Sequence, residues 1–346
     1  MSVIIVYDRP SAEYLAGETV TGRVIVHLDQ PTSIKEITLR LKGETKLDGV
    51  LALLNQMTAV GTILRLVNPP HEIFYKSKTQ LLGGGDKPKH QDTKLEPGTH
   101  AYPFEFTLPA TVPSSFTSKN TGRTLFSAKA LVRWDKADDQ SAESEMIVFE
   151  PVDLNLLLPH IAEPFAKTDS KYFWTLGSKS GPLTMSVRVP SQGYVPGETI
   201  PFEVEVDNKS TFVVHRVEVA VSQHVKYYFN LRKVPEFIKV AKVELEHSQV
   251  KGGEAKAFKH SITVPERTPP TVQNNKSKHV KWKYFLTANA VVDQGHINLR
   301  VSAPIVIGTL PVGATGGRAE VKGSPTSPPP YSKADQVSSD FIKTLI

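Results

Sequence analysis

The sequence predicts an all-β chain of two tandem immunoglobulin-like β-sandwich domains followed by a flexible C-terminal tail. Three observations carry that expectation. Tyr14-Leu15-Ala16-Gly17-Glu18-Thr19 returns 180 residues later as Tyr194-Val195-Pro196-Gly197-Glu198-Thr199, so the chain repeats itself. Short runs rich in Val, Ile, Thr and Phe alternate apolar with polar residues, the period of a half-buried strand. A length of 346 residues is more than one ordinary domain needs, and each half is long enough to bury its own core.

The elements follow in order. Ile34-Lys35-Glu36-Ile37-Thr38-Leu39-Arg40-Leu41 lies at the same 180-residue shift from Val214-His215-Arg216-Val217-Glu218-Val219-Ala220-Val221. Later, Ser127-Ala128-Lys129-Ala130-Leu131-Val132 answers Thr287-Ala288-Asn289-Ala290-Val291-Val292 at a shift of 160. Turn clusters at Ala16-Gly17-Glu18, Glu96-Pro97-Gly98 and Lys251-Gly252-Gly253 separate the runs. The expected domains are residues 1–160 and 171–312, with the boundary in the polar stretch 162–171. From Gly313 onward Gly, Ala, Ser and Pro dominate and apolar periodicity is lost, which predicts a disordered tail over 313–346. Val50, Leu53, Leu54, Met57, Val60, Leu64 and Val67 have helical spacing instead, so an amphipathic helix is expected within 49–67, packed on the first sandwich.

Composition narrows the chemistry. With no cysteine, disulfides, thiolate nucleophiles and Cys-ligated zinc are excluded. The eleven histidines include no H-x-H or H-x-x-x-H pair, and the scattered carboxylates select no acid and base, so neither a metal site nor catalysis is expected. Gly83-Gly84-Gly85 lacks the Lys-Ser/Thr ending of a phosphate loop, and no cofactor is implied. The net charge of +6 falls short of the density of a nucleic-acid arm, and no nucleic acid is expected. The opening MSVIIVYDRP has no basic flank or cleavage site of a signal peptide, which predicts an intracellular protein.

Glu96-Pro97-Gly98-Thr99-His100-Ala101-Tyr102-Pro103-Phe104-Glu105-Phe106-Thr107-Leu108-Pro109, followed by Pro113-Ser114-Ser115-Phe116, resembles the arrestin N-domain signature. Pro151-Val152-Asp153-Leu154-Asn155 is similar to the segment that closes that domain, and Gly193-Tyr194-Val195-Pro196-Gly197-Glu198 to the opening of the arrestin C-domain. With the tail, these residues resemble the α-arrestins, the arrestin-domain-containing proteins. The resemblance implies two seven- or eight-stranded sandwiches joined by a short hinge. It also implies an adaptor that links cytoplasmic regions of receptors or transporters to ubiquitin ligases, working in the cytoplasm and at the plasma membrane and endosomes. An arrestin-fold structural subunit of a retromer-like coat is the alternative, and a loop-built hydrolase site is the third reading. Residues 144–150 hold no arginine and residues 268–277 no aspartate, so the buried charge cluster by which visual and β-arrestins sense receptor phosphates is not expected. The lack of cysteine also rules out mixed-disulfide partnership with thioredoxin.

Pro328-Pro329-Pro330-Tyr331 is a Pro-Pro-x-Tyr motif, and composition alone predicts only about 0.06 chance matches in such a chain. Its prolines hold a left-handed extended helix before binding, which lowers the ordering cost of docking on an aromatic groove. Pro328 and Pro329 are expected to stack in a WW-domain groove while Tyr331 fills the next pocket. The family resemblance implies that the WW domains belong to HECT ligases of the Nedd4 class. Ser324-Pro325 and Ser327-Pro328 are candidate phosphosites beside it, and Thr344-Leu345-Ile346 has the form read by PDZ grooves. Lys276, Lys278, Lys281 and Lys283 surround Trp282 and Tyr284 as a candidate patch for an acidic partner or a lipid surface. Alternation favours the plainer reading, with Trp282 and Tyr284 inside and Lys281 and Lys283 in water.

Overall fold

In the computed structural model the alternating runs form strands in chain order. The first half holds β1 (Ser2–Tyr7), β2 (Glu13–Leu15), β3 (Thr19–Leu28), β4 (Thr32–Lys46), β5 (His71–Leu82), β6 (Thr93–Leu95), β7 (Gly98–Thr107), β8 (Phe116–Ser118), β9 (Gly122–Trp134) and β10 (Gln140–Phe149). After a 3-10 turn, Leu154–Leu157, come β11 (Phe165–Lys171), β12 (Trp174–Thr175), β13 (Ser178–Lys179), β14 (Leu183–Val189), β15 (Gly193–Tyr194) and β16 (Thr199–Asn208). The chain continues with β17 (Val214–Phe229), β18 (Arg232–Glu244), β19 (Ala255–Thr263), β20 (Val280–Val292) and β21 (Leu299–Ile307). The described residues are 1–50, 70–83, 93–135, 138–175, 178–229, 232–272, 277–292 and 298–313.

Each half is two sheets face to face, antiparallel except for one short parallel pair in each half. The first packs β1-β3-β7 against β2-β10-β9-β4-β5, and the second packs β11-β14-β16-β19 against β15-β21-β20-β17-β18. Valine, isoleucine and phenylalanine on alternate positions fill the space between them, Val20, Val24, Leu39 and Ala130 in one core and Val204, Val219 and Ala288 in the other. The short strands bring the halves to ten and eleven among the described residues, above the seven or eight the resemblance implies. β11 lies within the stretch 162–171 that composition marks as a connector. It pairs along its length with β14, so the second sandwich draws its first strand from there.

The repeat is structural. Leu15 and Val195 each start a turn closed by the fourth residue's N–H, from Glu18 at 3.0 Å and Glu198 at 3.1 Å. Gly17 and Gly197 sit at its third position with φ +95° and +87°, a left-handed conformation that costs any other residue about 1 kcal/mol or more. In both copies the short strand that leads into this turn pairs parallel with the domain's last strand, β2 on β10 and β15 on β21. The later strands differ from the letter match. β4 bulges between Ile34 and Glu36 and faces Trp134, while β17 bulges between Val214 and Arg216 and faces Val292. By pairing, the shift from β9 to β20 is therefore 158, not 160. A two-residue slip leaves the same face inward, so both registers satisfy the core.

Of the stripe expected to be helical, Val50 is described and buried, and the rest lies outside the described residues. Residues 1–312 cluster as one unit and 313–346 as another. Within the first unit the halves meet directly. Val152 N–H donates to Thr309 Oγ1 at 2.8 Å, and Leu154 N–H to the Leu310 carbonyl at 3.1 Å. Gly308 permits this approach, because a Cβ there would lie 2.5 Å from Leu154 Cγ.

Candidate functional site

β20 alternates as expected: Trp282 and Tyr284 are buried, Lys283 is exposed and Lys281 half-buried. The indole N–H donates to the Pro270 carbonyl at 2.9 Å and the Tyr284 hydroxyl to that of Pro269 at 2.8 Å, so both polar tips are satisfied inside the sandwich. Lys276 lies outside the described residues, and Lys278 turns to the first sandwich, where it pairs with Glu72 at 3.1 Å. Lys281 and Lys283 share the outer sheet face, with Lys281 Nζ 5.1 Å from the Tyr228 ring.

Cross-strand register adds the neighbours. Lys281 stands opposite Lys226, and Lys283 opposite His224. His224 stacks on Phe285 at 4.3 Å and meets Phe237 edge-on at 4.7 Å. Phe237 is 68% exposed, and Lys239 follows two residues later on the same strand. Burial, and after it Lys226, hold the imidazole below its ordinary pKa, so His224 is neutral near pH 7. Sequence reasoning missed Phe237, His224, Phe285, Lys226 and Lys239. Their signal exists only once β17, β18 and β20 are placed in register.

A second cluster lies between the sandwiches. Glu236 on β18 accepts hydrogen bonds from Ser118 at 3.0 Å and Thr121 at 3.0 Å, both from the first sandwich, and from the Tyr227 hydroxyl. Beside it Phe116 stacks on Trp282 at 5.1 Å and meets Tyr227 at 6.3 Å. Burial, reinforced by Glu236, raises the Tyr227 phenol far above its usual range. These groups offer cations, aromatic faces and a fixed carboxylate. Among the described residues no three His, Cys, Asp or Glu side chains converge to hold a metal ion, and no helix is long and apolar enough to cross a membrane.

The family model described as "Arrestin (or S-antigen), N-terminal domain" matches residues 3–155, and "Arrestin (or S-antigen), C-terminal domain" matches residues 179–312. Arrestin domain-containing protein 4 of Homo sapiens is 26% identical over 330 residues, covering 91% of this chain and 72% of that protein. Arrestin domain-containing protein 17 of Caenorhabditis elegans is 27% identical over 319 residues, 89% of this chain and 70% of that protein. Arrestin domain-containing protein 1 of Homo sapiens is 24% identical over 332 residues, 93% and 70%. The chain belongs to the α-arrestin, or arrestin-domain-containing, family.

In this α-arrestin the Thr268–Thr271 segment presents neutral contacts to the core. Thr271 exchanges hydrogen bonds with Ile307, and the Pro269 and Pro270 carbonyls cap Tyr284 and Trp282. The charged contact nearby is Arg267 with Glu13 at 3.4 Å, near the surface. Pro328, Pro329 and Tyr331 lie outside the described residues, as do both candidate phosphosites and Thr344-Leu345-Ile346.

Proposed function

We propose that this α-arrestin is a non-enzymatic trafficking adaptor. Its paired sandwiches engage the cytoplasmic part of a membrane receptor or transporter, and its tail brings a WW-domain ligase of the HECT, Nedd4-like class to that cargo. The observation that carries the reading is the Pro-Pro-x-Tyr motif, Pro328-Pro329-Pro330-Tyr331, standing after a family-matched body that ends at residue 312. Tethering raises the effective concentration of ligase at cargo lysines to the millimolar range without a new contact on the cargo. The working place is the cytoplasm, with recruitment to plasma membrane and endosomes. There the exposed Phe237 and the lysines around it suit peripheral contact with an anionic leaflet.

The test titrates a panel of WW domains with the full chain and with Tyr331→Ala. Saturable binding that weakens at least tenfold in the variant supports ligase recruitment, a loss of about 1.4 kcal/mol. Equal binding of both proteins, or binding of neither, would discard the ligase reading in favour of a coat subunit that docks by its body alone.

A further inference from the structure

Where β11 ends, the second sandwich leads its chain into the hairpin β12–β13, and burial there alternates. Tyr172 is 47% and Trp174 70% exposed, while Phe173 between them is buried. Phe173 packs on Phe212 at 4.9 Å and its carbonyl accepts from Ser180 N–H at 2.8 Å, and Trp174 stands opposite Lys179 in register. The two exposed rings are thus anchored from behind and share one outward side, about 6.6 Å apart along an extended chain. That spacing is close to two van der Waals separations, the room one flat ring needs between two others. Lys179 Nζ lies 3.7 Å from the Tyr172 ring centroid, so a cation already stands over the ring face. Along β11 and the hairpin Lys167, Lys171 and Lys179 outnumber Asp169, and among the described residues Lys167 and Lys179 make no ion pair. Exposed aromatic surface rimmed by charge is the mark of an interaction site.

We propose that Tyr172 and Trp174 form a platform for a proline-rich, acid-bearing segment of a partner protein, bound in the polyproline II form. Such a segment presents flat rings, holds its shape before binding and carries a solvated backbone, so it asks a site for aromatic faces more than for hydrogen bonds. Two rings on a short hairpin supply those faces. Charge selects the flanks: carboxylates beside the prolines pair with Lys179 and Lys167. The chain's own Pro-Pro-x-Tyr segment carries the wrong sign, since Lys322 and Lys333 flank it with no acid between them. A bilayer fits less well, because the cation over the Tyr172 ring would have to follow that ring out of water, which is costly for an unpaired charge. The platform lies in the body and its assay contains no WW domain, so the inference goes beyond the ligase reading and neither result decides the other.

The probe is a fluorescent twelve-residue repeat of Pro-Pro-Glu, titrated by anisotropy against the full chain. Saturable binding is expected, weakened at least tenfold by Trp174→Ala and by Tyr172→Ala, and less than twofold by Leu156→Ala, which removes exposed apolar surface elsewhere. Lys179→Glu should weaken binding of this probe and should bind a Pro-Pro-Lys repeat more tightly than wild type does. Tryptophan fluorescence gives a second readout. Trp134 and Trp282 are buried, so acrylamide quenches Trp174 above all, and saturating peptide should reduce that quenching at least twofold. No binding by wild type, equal binding by Trp174→Ala, or bound peptide that leaves the quenching unchanged would overturn the platform. So would vesicles containing phosphatidylserine that bind wild type and not Trp174→Ala while the peptide binds neither, which would assign the hairpin to a membrane.

Discussion

His224 is held between two phenyl rings, where burial, and after it Lys226 on its own strand, disfavour a positive charge on the imidazole. Its folded pKa lies below the ordinary value, so the unfolded chain takes up its proton first as pH falls through about 6.5. The neutral stack therefore contributes full stability above that pH and loses it on the acid side. His224→Phe keeps the stacking shape and removes the proton site. Between pH 7.5 and 5.5 wild type should lose stability relative to His224→Phe, read as the difference of urea midpoints at each pH. A difference independent of pH would mean that the imidazole titrates alike in both states.

The repeated turn is the clearest element the two halves share, and one side chain closes it in each. The Glu18 carboxylate accepts from Leu15 N–H at 2.9 Å, and the Glu198 carboxylate from Val195 N–H at 2.9 Å. Arg9 adds a second contact to Glu18 at 2.9 Å. Either Glu→Ala change should cost about 1.5–3 kcal/mol in urea unfolding, the worth of a hydrogen bond to a charged group, with Glu18→Ala the costlier. The double variant should show the sum, since the turns lie in separate sandwiches. This turn was legible in the sequence because its geometry demands particular residues: glycine for positive φ, glutamate for the exposed amide. The burial of Trp282 and Tyr284 was equally legible from alternation. What was not legible depends on register. Alanine and valine fit either of two slips, so the letter match placed β20 two residues from its pairing. The cluster Phe237-His224-Phe285 unites residues from three strands and leaves no local pattern. The stretch read as a connector hid β11 because an edge strand facing water on five of its seven residues reads as polar sequence.

At the scale of the molecule, the two sandwiches are coupled through two different kinds of contact. The hinge side is mostly backbone: Leu154 N–H donates to the Leu310 carbonyl, the N–H groups of Thr309 and Leu310 donate to that of Val152, and one side chain, the Thr309 hydroxyl, accepts from Val152 N–H. The far side is specific. Phe116 leaves its own core to stack on Trp282, joined by Leu47 and Val50 in the second sandwich's apolar cluster, while Ser118 and Thr121 bind the Glu236 carboxylate. Removing the aromatic ring should cost about 3–5 kcal/mol, the usual range for a buried Phe→Ala change. That loss falls on the contact between sandwiches more than on either core. In calorimetry the wild-type body should therefore unfold in one transition, and Phe116→Ala should split it into two, the lower belonging to the sandwich with fewer internal supports. Glu236→Gln, which keeps the shape but weakens the hydroxyl contacts, should broaden the single transition without splitting it. A single sharp transition in Phe116→Ala, merely shifted down, would show that the hinge backbone alone couples the sandwiches and that the stack is only packing.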